Sequence, residues 1–308
     1  MSTRVESPSI VSPVAMIIGS CVSLQLGAAL AVQLFPELGP WGVTSVRLTV
    51  AALVLLAIAR PAVRTWDRSQ WRAVAVYGLA LGGMNAFFYA SIERLPLGVA
   101  VAIEFLGPLA LSAALSRRAS HFAWVGAALA GMALLAVDGL MGSDPLDPVG
   151  VALVLVAAAL WAGYIRAGAH VSQKVPGLGA LAVGLAISSV ALLPFGVPAV
   201  GHLATEPSLL PLVLGTVLFA SVVPYSLELL ALRRLPQRVF GILLSLEPVF
   251  AALFGFVLLA QEVSPLRGAA IALVVAASIG TTAGARADAR RSAEGAQEPP
   301  AITSEIKL

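Results

Sequence analysis

Four ionisable residues stand inside otherwise apolar stretches of this chain: Arg47, Glu104, Glu228 and Glu247. A charge at the centre of a bilayer costs at least about 2.5–3.5 kcal/mol, so such residues face a protein interior, where they pair or do chemistry. Glu104 and Glu247 read as lying near the middle of their segments. Glu228 falls one turn from a segment end and reads as structural or gating, since its carboxylate can snorkel toward water. Two deep carboxylates thus face one deep cation, and one carboxylate is left without a cationic partner. Such a group suits proton exchange, which makes Glu104 and Glu247 the candidate proton carriers. Arg47 has two readings, an ion pair that ties helices together or a site for an anionic group.

Prolines accompany these charges. Pro108 follows Glu104 by one turn, Pro248 directly follows Glu247, and Pro224 lies in the segment of Glu228. Proline lacks an amide donor and frees a carbonyl about one turn back, so each is expected to kink its helix and expose polar backbone to a cavity. Pro108, Pro224 and Pro248 are therefore gating or structural candidates. Gln25 and Gln33, Asn85 and Tyr89, Trp161 and Tyr164, Ser221 and Tyr225, and Ser245 supply the polar and aromatic lining. Amides and hydroxyls both donate and accept, which suits a small zwitterion. The aromatic group Phe87, Phe88, Tyr89 and Tyr225 also suits a flatter ligand. Trp41 and Trp71, near segment ends, read as interfacial anchors.

The composition fixes the solvent. The chain has 59% hydrophobic and 11% charged residues and a mean hydropathy of +0.93, against about 25% charged in a soluble domain. Membrane lipid is the expected surround. A net charge of +3 without a basic patch gives nucleic acid no footing. The single Cys21 makes no internal disulfide or CxxC metal site, and no metal or organic cofactor is expected. His121, His170 and His202 lie at segment ends or in loops, and GxSxG and HExxH are absent, which leaves an intramembrane enzyme or a scaffold as the weakest reading.

A spanning helix takes about 20 residues. Apolar runs near 13–35, 41–59, 73–91, 97–116, 120–137, 148–166, 178–200, 208–231, 237–259 and 265–283 predict an all-α integral membrane protein of ten spans. The start MSTRVESPSIVSP lacks a signal-peptide pattern, so the first run is expected to be retained. With the N-terminus cytoplasmic, all of the 19 Lys and Arg except Arg47, Arg94 and Arg267 fall inside, which also places the C-terminus there. RLP at 94–96 aligns with RLP at 234–236, which brings Pro108 onto Pro248, and VGAALAG from Val125 resembles RGAAIAL from Arg267. Two five-helix units result, at 13–143 and 144–283, between a cytoplasmic segment 1–12 and a polar tail 284–308 that is expected to be disordered. Five is odd, so the second unit is inverted, an organisation that transporters use with a midplane site between the copies.

SVRL, GLALGGMNAFFYASIERLPLGVAVAIEFLGPLA, LWAGYI, VVPYSLELLALRRLP and RVFGILLSLEPVFAALFGFVLLAQE closely resemble the EamA-type transporters of the drug/metabolite transporter superfamily, nearest to the inner-membrane threonine and homoserine exporters. The resemblance runs over nearly the whole chain. It implies a multi-pass inner-membrane carrier that exports amino acids or related small metabolites by alternating access, driven by the proton gradient. The family's polar positions fall on Arg47, Asn85, Glu104, Tyr225, Glu228 and Glu247. Combined with the lining above, the expected substrate site is Gln25, Arg47, Asn85, Tyr89, Glu104, Trp161, Tyr225 and Glu247. An ammonium would meet Glu104 or Glu247, and a carboxylate would meet Arg47 or the amides of Asn85 and Gln25. An aromatic amino acid, a purine or a drug-like cation is the alternative cargo. Nothing in the sequence sets an oligomeric state.

Overall fold

The computed structural model describes residues 11–115, 119–141, 146–175, 178–232, 243–244, 246–277 and 279–280. Among them all regular structure is helical. The chain runs through α1 (Val11–Val32), α2 (Phe35–Ala59), α3 (Arg68–Ile92), α4 (Leu97–Glu104), α5 (Leu106–Leu115), α6 (Ala119–Met141), α7 (Pro148–Ser172), α8 (Gly179–Ala191), α9 (Leu193–Thr205), α10 (Leu210–Val217), a π turn (Leu218–Val222), α11 (Val223–Leu232), α12 (Glu247–Leu259) and α13 (Pro265–Ala277). Five helical stretches are long and apolar enough to cross a membrane, or six if the pair α8 and α9, bent by 81°, counts as one span. Four further apolar helices are shorter. The segment 1–10, most of the tail and the side chains of Glu228 and Ser245 lie outside the described residues.

Local chemistry sets the helix ends. Asp67 and Gln70 form a reciprocal capping box at the start of α3, with the Asp67 carboxylate accepting the Gln70 amide at 2.7 Å and the Gln70 side chain accepting the Asp67 amide at 2.9 Å. Asp147 caps α7 by accepting from the Val149 amide at 2.7 Å, and Pro148 opens the helix where no amide is needed.

Glu104 stands near the middle of the apolar stretch Leu97–Leu111, at the junction of α4 and α5, whereas Glu247 begins α12. Glu104 is the last residue of α4. The reason is proline. Pro108 withholds a donor from the Glu104 carbonyl and Pro248 withholds one from the Leu244 carbonyl, so the helix stops at the first and restarts at the second. Pro248 lies in the first turn of α12, where its missing amide costs that helix no bond.

Small residues bring the helices together. α3 packs along α7 and α8, α1 along α11 and α12, α2 along α8 and α9, and α4 along α12. A Cβ at Gly78 would stand 2.9 Å from the Gly184 Cα, one at Gly98 would stand 2.7 Å from the Ala252 Cα, and one at Gly107 would stand 2.7 Å from the Ala158 carbonyl carbon. Backbones this close gain dispersion contacts in place of the hydrophobic drive that lipid removes. Polar contacts also join helix ends: Arg94 pairs with Asp147 at 2.9 Å and Arg267 with Asp138 at 2.5 Å, and His202 Nε2 lies 3.1 Å from Glu37 Oε2. The Arg94 guanidinium, helped by the Val149 amide, holds the Asp147 carboxyl below its usual range.

Gly78→Ala is expected to destabilise the bundle by about 1–3 kcal/mol, since the methyl meets backbone that has no rotamer to give. Gly163→Ala, with nothing within 4 Å of the new methyl, is expected to be neutral or slightly stabilising. Thermal unfolding of the two variants in detergent checks the contrast.

Candidate binding cavity

A cavity of about 440 Å³ opens among α1, α2, α3, α4, α5, α7, α11 and the start of α12. That volume is in the range of small-molecule sites. Every residue of the expected substrate site lines it: Gln25, Arg47, Asn85, Tyr89, Glu104, Trp161, Tyr225 and Glu247. Pro108 and Tyr164 join them, while Pro224 and Pro248 lie buried beside it. Gln33 does not belong; it is exposed at the end of α1. Phe87 turns away and packs edge-on against Trp41, which also meets Phe195, so Trp41 is part of the helix packing as well as near a helix end. Trp71 is 41% exposed, as an interfacial ring would be.

Arg47 is the centre of the polar wall. Its side chain is buried, and its residue is 2% exposed. Nη1 donates to the Ala220 carbonyl and to Ser221 Oγ, both at 2.9 Å, and Nη2 donates to Asn85 Oδ1. Asn85 is held in that orientation because its Nδ2 donates to the Leu81 carbonyl at 2.8 Å. The Tyr89 ring lies under the guanidinium, 4.8 Å from centroid to Cζ. All of these partners are neutral. The ion-pair reading of Arg47 is thus not what the structure contains: among the described residues no carboxylate is within ion-pair reach of it. A guanidinium has five N–H donors, and Nε is one that finds no acceptor.

Glu104 is buried at the end of α4 and makes no hydrogen bond or ion pair among the described residues. The Gln25 Oε1 and the Tyr89 hydroxyl are buried and unpartnered too. Buried polar groups are normally satisfied, so several left open around one cavity mark where a polar ligand would be received. Glu247, buried in the first turn of α12, lies where free helical amides favour an anion.

The remaining wall is apolar and aromatic. Trp161 meets Phe105 edge-on, with centroids 4.9 Å apart, and Tyr164 stacks on Tyr77 at 5.0 Å. Leu81, Met84, Phe88, Val101, Ile165 and Leu244 fill the gaps. Of these the sequence pointed only to Phe88, because an aliphatic residue in an apolar run carries no signal. Sequence reasoning also passed over the Ala220 carbonyl, whose only trace is Pro224 downstream. The described residues hold no cluster of three His, Cys, Asp or Glu fit for a metal. A cation, two carboxyl groups, two amides and a greasy wall around one space can receive a small molecule that carries both an acidic and a basic group.

A model of the EamA-like transporter family matches residues 148–283. The threonine/homoserine exporter RhtA of Escherichia coli (strain K12) is 38% identical over 278 residues, 90% of this chain and 94% of that protein. The threonine/homoserine exporter RhtA of Salmonella typhimurium (strain SL1344) is 40% identical over 270 residues, 88% of this chain and 91% of that protein. A solved crystal structure of a protein 22% identical to this chain shares its fold, with a TM-score of 0.57 over 91% of this chain and 99% of the other.

Arg47→Lys removes the planar fork that reaches three acceptors at once. It is expected to cost about 2 kcal/mol of stability through a lost charge-assisted hydrogen bond. Arg94→Lys, at a side chain 44% exposed, is expected to cost well under about 1 kcal/mol. Unfolding midpoints in detergent measure both.

Proposed function

The chain belongs to the EamA-like transporter family, and from that premise we propose that it exports small neutral amino acids of the threonine and homoserine kind across the inner membrane. Membership makes it a membrane transporter and not an enzyme. The names of its relatives suggest the cargo, and the observation that carries the reading is Arg47. A buried cation held only by neutral groups keeps its full charge for an anion that arrives in the cavity, here the substrate carboxylate, with the Asn85 and Gln25 amides beside it. The substrate ammonium meets Glu247, and Glu104 exchanges a proton during the cycle. Their surroundings support this division. Glu247 lies at the amide-rich start of a helix, whereas Glu104 lies at a carbonyl-rich end with no partner among the described residues.

The cycle is alternating access by two inverted five-helix units, 13–143 and 144–283, which together cross the membrane ten times with cytoplasmic ends. Five long helices, one bent pair and four shorter apolar helices supply the segments that this count needs. The packing supports the exchange of units: α3 on α7 is mirrored by α11 on α1, α3 on α8 by α10 on α2, and α5 on α7 by α12 on α1. The cavity supports it as well. The alignment of Arg94 with Arg234 puts Leu24, Gln25, Asn85 and Glu104 onto Tyr164, Ile165, Tyr225 and Leu244, and all eight are lining residues. On this topology the contacts Glu37–His202, Arg94–Asp147 and Asp138–Arg267 each join one unit to the other on the outer side. That side is then the closed gate of this conformation.

A second reading, an aromatic metabolite as cargo, draws on Phe88, Tyr89, Trp161 and Tyr225 around the same space.

Counterflow of labelled threonine in proteoliposomes, with homoserine, leucine, phenylalanine and a purine as competitors, separates the two. Homoserine is expected to compete best; threonine flux that is absent while phenylalanine or the purine is carried replaces the first cargo by the second. Glu104→Gln is expected to abolish export driven by a pH gradient and to spare exchange. If Glu104→Gln and Glu247→Gln both keep full proton-coupled export, the proposed coupling is wrong.

A further inference from the structure

Two backbone carbonyls beside the cavity are given over to side chains of other helices. Phe219 O accepts from Ser23 Oγ on α1 at 2.8 Å, and Ala220 O accepts from Arg47 Nη1 on α2 at 2.9 Å. In an α-helix the Ala220 carbonyl bonds the amide of residue 224, and in a π-helix the Phe219 carbonyl bonds that same amide. Residue 224 is proline and has none. The π turn Leu218–Val222 ends with the Val223 amide on the Leu218 carbonyl, and Pro224 follows in the next helix. In either register the missing donor falls on one of these two carbonyls. The turn also brings Ser221 Oγ onto Arg47 Nη1. Gly27 admits α1 to this place, since a Cβ there would stand 2.7 Å from the Ala220 Cα.

We infer that Pro224 is a positioning residue for substrate recognition: by withholding one amide it leaves the adjacent Phe219 and Ala220 carbonyls one helical donor short, and the Ala220 carbonyl with Ser221 fixes Arg47 without neutralising it. The inference rests on the reading of Arg47 as the carboxylate site. The chemistry favours this device over an acidic residue. An Asp or Glu in place of the carbonyl would hold the guanidinium as firmly but would satisfy its charge, and a substrate carboxylate would then gain little by arriving. A carbonyl and a hydroxyl supply direction without a counter-charge. Three bonds to neutral acceptors occupy three of the guanidinium's five donors. The two that remain, Nε among them, match the two oxygens of one carboxylate in number.

Pro224→Ala restores the amide, which competes with Arg47 or Ser23 for its carbonyl and lets the π turn relax toward regular helix. The readout is the ratio of two inhibition constants against labelled threonine in counterflow, one for unlabelled threonine and one for threoninamide, which keeps the ammonium and hydroxyl but lacks the carboxylate. The wild-type protein is expected to prefer threonine. In Pro224→Ala, threonine binding is expected to weaken about tenfold, the scale of one charge-assisted hydrogen bond, while threoninamide stays unchanged, so that the ratio falls toward one. A general packing defect weakens both alike, and that result, or an unchanged ratio, overturns the inference. Ser221→Ala removes the second acceptor on the same nitrogen and leaves the helix as it is, so it decides the matter if Pro224→Ala does not fold; a ratio unchanged there overturns the inference too. Wild-type protein that carries neither threonine nor homoserine is a separate failure, visible before any variant is made, which removes the substrate reading and this inference with it.

Discussion

The structure depends on how a cation is kept in a place that lacks water. Arg47 is buried against the Ala220 carbonyl, Ser221 and Asn85, with the face of Tyr89 beneath it. Direction and charge are separate requirements here. Hydrogen bonds from three neutral groups determine where the guanidinium sits, and the quadrupole of the ring offsets part of its desolvation. None of them carries a negative charge. The result is a cation that is rigid and still uncompensated, which ordinary folding energetics disfavours and a binding site requires.

One of the three neutral acceptors is backbone, the Ala220 carbonyl, and in a membrane helix the backbone is normally consumed by itself. Proline is the local means of release. Pro108 ends α4 at Glu104, Pro248 restarts the chain after Leu244, and Pro224 opens the turn that faces Arg47. At the break before Pro224, Ser23 of α1 and Arg47 of α2 supply the donors that lipid does not. The breaks and the small residues are thus parts of one arrangement: Gly27, Gly98 and Gly107 bring neighbouring backbone near the broken segments, and without that approach the freed groups would face hydrocarbon.

Much of this was legible in the sequence, for a physical reason. A charge or amide in an apolar run has one tolerable direction, inward, so eight residues picked from seven separate segments could be expected to meet, and they line one cavity. Gln33 escaped the rule because the end of α1 reaches polar surroundings, where an amide has no need to turn inward. The identity of contacts was less legible than their existence. Charge arithmetic suggested that Arg47 would find a carboxylate, but which groups touch depends on rotation about each helix axis, and rotation is set by packing across the chain. A backbone carbonyl has no letter in the sequence at all. The places where helices stop were half-visible: the prolines are plain, yet whether a proline bends a helix or divides it depends on what replaces the lost bond.

The proposed alignment of the two halves also sets unlike residues against each other. Gln25 falls on Ile165, Asn85 on Tyr225 and Glu104 on Leu244, so at paired positions around the cavity one half presents a polar group and the other an apolar or aromatic one. Arg47 itself falls on Ile187. Two copies of one unit, packed face to face, make a cavity with equivalent walls; divergence at these few positions makes the walls unlike. On the proposed reading, the ends of an amino acid need such unlike walls. Its carboxylate turns toward the first unit, where Arg47 and the amides lie, and its small side chain turns toward Tyr164, Ile165 and Leu244. Glu247, the carboxylate that the second unit adds to the lining, gives the ammonium its counter-charge. On the same proposed reading, duplication gives a site that both sides of the membrane reach in turn, and asymmetry gives a substrate held in one orientation while they do.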